Sequence, residues 1–135
     1  MNIVILGSSK AALEHAHSIL DETPTTRVVV YTEEAEIGFP EKPFSEEIIL
    51  SDALTIIPEN WYSTIPVGID QDTPSKAAYS WLVKLLAIRL ALRGAEFHLR
   101  TTILEIDEDR REISFRGGGI VRSGVEPYDE LCDFR

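Results

Sequence analysis

The chain opens on an unbroken apolar run, Ile3-Val4-Ile5-Leu6, closed by Gly7. A short, largely β-branched run bounded by a turn residue predicts a buried strand over 2–7. The period then changes. Ala12, Leu13, Ala16, Ile19 and Leu20 recur at three- and four-residue spacing, which places them on one face of a helix over 9–21. Ser8 or Ser9 can cap its start, and Pro24 among threonines stops it. Arg27-Val28-Val29-Val30-Tyr31 predicts a second buried strand over 27–31. A β-α-β unit of about 30 residues leaves no room for a hairpin turn, so the two strands should be parallel with a right-handed crossover.

Regularity then lapses. Pro40, Pro43, Pro58 and Pro66 break residues 38–73, with Phe39, Phe44, Trp61 and Ile65 scattered between them. The expectation is an irregular segment with one helical turn near 45–54, of the kind that in a compact domain is functional or partly disordered. A long helix follows, with Thr73 as cap, Pro74 at the first helical position, and Gly94 ending it after Arg93. Ala78, Trp81, Leu82, Leu85, Leu86 and Arg89 mark its inner face, widened by Ile88 and Leu92. Residues 95–99 predict a third parallel strand. Alternating runs at 102–107 and 112–116, joined by Glu108-Asp109-Arg110-Arg111, predict a hairpin. Gly117-Gly118-Gly119 reads as a turn, and strands at 120–122 and 128–133 complete the chain. There is no internal repeat.

Charge and composition narrow the partners. The 135 residues suffice for one domain with its own core, spanning 1–135. A net charge of −10 and a pI near 4.7 disfavour nucleic acid and anionic membrane, both of which need basic patches to displace counterions. No run approaches the roughly 18 apolar residues of a membrane span, and no basic segment precedes an apolar one at the N-terminus, so a signal peptide is not expected. A lone cysteine, Cys132, forms neither an internal disulfide nor a redox pair. A reducing cytoplasm is the expected location.

The motif that carries most information is Gly7-Ser8-Ser9-Lys10-Ala11-Ala12, sitting between the first strand and the first helix. That is where a dinucleotide-binding fold places its G-x-G-x-x-G/A turn. Gly7 keeps the first position, Ser9 replaces the second glycine and Ala12 fills the third. Such a turn aims helix N-terminal N–H groups at a pyrophosphate, where the helix dipole favours negative charge. Ser9 keeps a small side chain at the point of closest approach. Lys10 either pairs with a phosphate or projects into water.

Three pieces, in order, resemble the N-terminal half of FAD-dependent oxidoreductases. The stretch 2–38 resembles their first β-α-β unit and the turn after it, ending Ala35-Glu36-Ile37-Gly38. The stretch 74–107 resembles their next helix, the strand after it and the strand that passes the adenine. Pro127-Tyr128-Asp129-Glu130-Leu131-Cys132-Asp133 resembles the strand leading into their next turn. The resemblance implies an α/β fold: a Rossmann-like parallel sheet flanked by helices, with a small β-meander over about 101–127 and an irregular insertion over about 39–73. It implies FAD as the cofactor. Gly7, Ser8, Ser9, Lys10, Ala11 and Ala12 would lie on the pyrophosphate, and the backbone of Ile103 on the adenine. The acid that takes the ribose in that family falls on Thr32, with Glu33 one residue later. The family's further domains have no counterpart here, so either a partner subunit or a homo-oligomer would complete a flavin site, or the chain is a piece of a longer flavoenzyme. The competing expectation is a non-catalytic module of the same fold that has lost cofactor binding and acts in interaction or assembly. An NAD-type dehydrogenase domain is weaker, since the meander suits the flavin family better.

Other constellations are bland. His15 and His17, two apart on a helix, do not face each other for a metal. There is no G-x-S-x-G elbow and no Walker lysine. No catalytic acid, base or nucleophile stands out. Cys132 reads as core, and His98 as a strand imidazole. Trp61 and Tyr62 are candidates for a partner-contacting surface, with loop packing as the alternative.

Overall fold

A computed structural model of the chain describes residues 1–38, 46–118 and 122–135. In chain order the elements are β1 (Asn2–Leu6), α1 (Lys10–Glu22), β2 (Arg27–Tyr31), α2 (Leu50–Thr55), a 3-10 turn (Glu59–Trp61), α3 (Lys76–Leu92), β3 (Glu96–His98), β4 (Thr101–Asp107), β5 (Glu112–Gly117), β6 (Gly124–Pro127) and β7 (Glu130–Asp133). The strands form two sheets. One is parallel, in the order β3-β2-β1-β7, and the other is the antiparallel meander β4-β5-β6. Asn2 pairs with Arg27 and Leu6 with Tyr31, while Ile3 pairs with Glu130 on the other side of β1.

The uninterrupted apolar strands are explained by burial on both faces. Successive side chains alternate. Ile3, Ile5, Val28 and Val30 join Leu13, Leu20, Leu82, Leu86 and Leu90 in a core between the sheet and the helices. Val4, Leu6, Val29 and Tyr31 form a second core with Ile113 and Phe115 of the meander. Helices, parallel sheet and meander thus make three layers.

Several boundaries differ from the sequence reading. Ser75, not Thr73, caps α3: its hydroxyl accepts from the Ala78 N–H at 3.0 Å. Ser75 is held extended by a two-way backbone bridge to Ile48, which leaves Thr73 and Pro74 ahead of the helix. On α3, Ile88 and Leu92 are exposed, at 40% and 71%, whereas Val83, Ala87 and Leu90 are buried. The helix is apolar on nearly every side, so periodicity could not choose its inner face. The third meander strand is β6, and the strand expected at 120–122 falls mostly outside the described residues. Gly119 to Val121 lie outside the described residues, and Arg122 belongs to no strand. Ser123 instead accepts a hydrogen bond from the Gly117 N–H and turns the chain into β6. The last strand is shorter than 128–133: Asp129 exchanges hydrogen bonds with Asn2 just before β7 begins. In the proline-broken segment, residues 39–45 lie outside the described residues, and α2 supplies the expected helical turn, running one residue beyond the expected end at 54.

Gly38 is required by geometry. Its φ is +80°, and an added Cβ would stand 2.6 Å from the Ser80 carbonyl oxygen of α3. Among the described residues no helix is long and apolar enough to cross a membrane.

Candidate functional site

Where the parallel strands end, the β1–α1 turn opens onto a cleft of about 810 Å³. Its floor is Gly7, Ser8, Ser9 and Lys10. One wall is the end of β2 with Thr32, Glu33 and Glu34, another is Tyr79, Ser80 and Val83 of α3, and Thr101, Thr102 and Ile103 of β4 stand nearby. Gly7, Ser8, Ser9, Lys10, Thr32, Glu33 and Ile103 of the sequence-predicted set therefore come together. Ala11 and Ala12 do not line the cleft. Ala11 is exposed, and Ala12 is fully buried in the helix–sheet core.

The turn keeps its shape without the second glycine. Gly7 alone takes a left-handed backbone, with φ +104°, and its N–H donates to the Tyr31 carbonyl at 2.8 Å. An added Cβ there would meet the Phe134 carbonyl group at 3.3 Å. Ser9 is extended, with φ −66° and ψ 165°, an ordinary conformation for any L residue. Its hydroxyl accepts from the Ala12 N–H at 3.2 Å and caps α1. That occupies one of the four N–H groups a helix start leaves unpaired, and the N–H groups of Lys10 and Ala11 have no partner within the helix. The hydroxyl that hinders approach also withdraws a donor.

Polar groups behind the turn are tied to one another. Ser8 and Thr32 share a buried hydroxyl–hydroxyl hydrogen bond of 2.8 Å. Ser8 also reaches the Glu34 carboxylate at 3.2 Å, and the Glu34 N–H donates to the Thr32 hydroxyl at 3.2 Å. Thr32 is thus a buried strut, and Glu34 is the carboxylate drawn to the turn. The sequence reading passed over Glu34, although its place two residues beyond Thr32, where an Asx-like local bond can form, was a usable signal. Glu33 is exposed and accepts from the Thr102 hydroxyl at 3.3 Å.

Among the described residues two cations border the cleft, and both are steadied by carboxylates. Lys10 pairs with Glu14 one turn along α1 at 3.2 Å. Arg135 donates from Nε and Nη2 to the two oxygens of Asp133, at 3.1 and 3.0 Å. Those bonds hold the Asp133 carboxyl below the usual carboxylate range.

The remaining candidates lie elsewhere. Trp61 is turned inward: its ring stacks on His17 at 5.7 Å and its indole N–H donates to Asp21 at 2.7 Å, so loop packing, not a free partner surface, describes it. Tyr62 packs against the same core. His98 lies between the sheets, stacked on Tyr31 at 4.6 Å. Cys132 is half-buried, 3.5 Å from His15 Nε2, and burial pushes its thiol up. Among the described residues no group of three His, Cys, Asp or Glu side chains is placed to hold a metal ion.

No protein-family model and no curated protein matches the sequence. Solved structures do match. A water-forming NADH oxidase from Lactobacillus brevis, bound to NADH, is 21% identical with a TM-score of 0.59, over 98% of this chain and 24% of that one. A geranylgeranyl bacteriochlorophyll reductase-like protein from Thermoplasma acidophilum reaches a TM-score of 0.65 at 11% identity, over 98% of this chain and 38% of that one. The flavin-dependent halogenase CmlS gives 0.61 at 16% identity, over 96% and 28%. The chain therefore shares the fold of one part of each of these proteins, and its parallel sheet, flanking helices and meander are the Rossmann-like α/β architecture that the sequence resemblance implied. The chain spans well under half the length of each.

Proposed function

We propose that this chain is an FAD-type dinucleotide-binding domain of a flavin-dependent oxidoreductase-like protein. The observation that carries this reading is the Gly7 turn, which opens the N-terminus of α1 onto a cleft edged by the carboxylates that follow β2. The unpaired N–H groups of Lys10 and Ala11, with the helix dipole behind them, would hold the pyrophosphate. Ser8 and Ser9 would flank it, and Ala12 keeps α1 close to β1. Glu34, or the more exposed Glu33, would take the ribose hydroxyls in place of Thr32. The backbone of Ile103 would meet the adenine. Bound there, the flavin would supply hydride and electron transfer, and the protein would supply its position and surroundings. Walls for the ring would come from outside these 135 residues: a further domain of the same protein, a partner subunit or a second copy.

A second reading, a non-catalytic module, is favoured by one feature. Ser9 satisfies Ala12, and Ser8, Thr32 and Glu34 satisfy one another, so much of the site closes on itself. An absorbance scan of the purified protein, with mass analysis of what denaturation releases, separates the two. Flavin bands near ~375 and ~450 nm support the first. A colourless protein whose melting temperature ignores added FAD and NAD(P) supports the second, because a ligand selective for the native state must raise it.

A further inference from the structure

At the end of α1 remote from the cleft, a buried histidine sits at the centre of a network that binds three elements. His17 is fully buried. Its Nε2 lies 2.9 Å from the Leu86 carbonyl of α3, so this nitrogen carries the proton. Its Nδ1 lies 3.0 Å from Arg93 Nη1, so this nitrogen must accept. Both ring nitrogens are therefore satisfied only in one neutral tautomer. Trp61 of the 3-10 turn stacks on the ring, and Asp21 gathers Trp61, Asn60 and Arg93 at 2.7, 2.8 and 2.7 Å. The charged groups facing the imidazole are Asp21 from α1 and Arg93 and Arg89 from α3. The 3-10 turn presents only Trp61 and the Asn60 carbonyl, which accepts from Arg89 at 3.2 Å.

The geometry points to His17 as a proton-operated latch that holds the segment 56–63 against α1 and α3. Protonation of Nδ1 removes the acceptor for Arg93 and sets two cations in contact inside the core. The cheapest relief is for the 3-10 turn to lift away and admit water, since its remaining polar ties lie at its rim: Trp61 and Asn60 to Asp21, Arg89 to the Asn60 carbonyl, and the Ser63 N–H to the Leu85 carbonyl at 3.3 Å. Burial and the neighbouring arginines hold the imidazole below its ordinary 6.5. The latch is thus closed above that pH and loosens as pH falls through and below it.

Hydrogen–deuterium exchange of the whole chain tests this, with rates corrected for intrinsic pH dependence. The Trp61 indole N–H, which donates to Asp21, and the Ser63 amide, which donates to Leu85, report on docking. Their protection should fall by up to about tenfold per pH unit below pH 6.5, with the β1 and β2 amides unchanged. In His17→Gln, whose amide can donate to Leu86 and accept from Arg93, the fall should vanish. Equal loss in His17→Gln, or constant protection down to pH 4.5, overturns the latch. If His17→Gln does not fold, the wild-type His17 ring resonances decide. Titration coincident with loss of Ser63 protection supports the latch, and any other outcome overturns it.

Discussion

Ser9 is where stability and binding should move in opposite directions. In Ser9→Gly the bond from the Ala12 N–H to the Ser9 hydroxyl, 3.2 Å long, is lost. Glycine is nevertheless an acceptable helix cap, so the change costs only a few tenths of a kcal/mol. The backbone at Ser9 is already extended and needs no rearrangement. The freed Ala12 N–H joins those of Lys10 and Ala11, and removal of the side chain lets a phosphate come closer. One added hydrogen bond to a charged oxygen contributes about 1.5–3 kcal/mol, part of which is offset by desolvation. A net gain of about 1.4 kcal/mol is tenfold in affinity. Ser9→Ala provides the contrast, since it loses the cap at a cost of about 1 kcal/mol and leaves a Cβ in the way. Denaturant unfolding and calorimetric titration with ADP and FAD read both quantities. The reasoning fails if Ser9→Gly binds no more tightly than wild type, or if Ser9→Ala gains as much.

Other substitutions follow from the same contacts. Gly38→Ala places a methyl 2.6 Å from the Ser80 carbonyl oxygen at φ +80° and should cost about 2–5 kcal/mol in denaturant unfolding, from backbone strain and overpacking together; a loss below about 1 kcal/mol would show that 35–38 yields freely. Thr32→Val removes the buried bond to the Ser8 hydroxyl and the acceptor of the Glu34 N–H, and should cost about 1–2 kcal/mol by thermal melting, whereas a neutral effect would mean that water replaces the strut. Trp61→Ala removes a half-buried ring, so it should lower stability by about 2 kcal/mol rather than the ~3–5 kcal/mol of a fully buried one, and leave the light-scattering mass unchanged; a changed mass would return Trp61 to an interface. Desolvation opposes ionisation of Asp21, but hydrogen bonds from Trp61, Arg93 and Asn60 together hold its carboxyl below its ordinary 3.8. Its contribution is present above that pH and disappears as pH falls through the depressed value, so Asp21→Asn should flatten the acid limb of a melting-temperature profile.

The β1-α1-β2 unit and the β4–β5 hairpin were legible because period and turn chemistry agree there. Ile3 and Val4 look alike in sequence yet face different layers, and only the presence of the meander explains why both are apolar. The inner face of α3 was not legible, because a helix apolar all round offers no contrast between Ile88 and Leu90. Thr73-Pro74 gave a good start signal that lost to Ser75, since the bridge to Ile48 is a long-range contact. At the site, the glycine turn was readable from local spacing. The role of Thr32 was not, because a hydroxyl gives no sign that its partner is Ser8, 24 residues earlier. The His17–Arg93–Trp61 network joins α1, α3 and the proline-broken segment, and no local pattern announces it.

The central claim is that the Gly7 turn takes a dinucleotide, and an amide-resolved NMR titration with ADP and then FAD tests it most directly. The account predicts saturable shifts at Gly7 to Ala12, at Glu33 and Glu34, and at Ile103, with little change around His17 and Trp61. An absence of saturable shifts at millimolar ligand, or shifts confined to residues away from the β1–α1 turn, would contradict it.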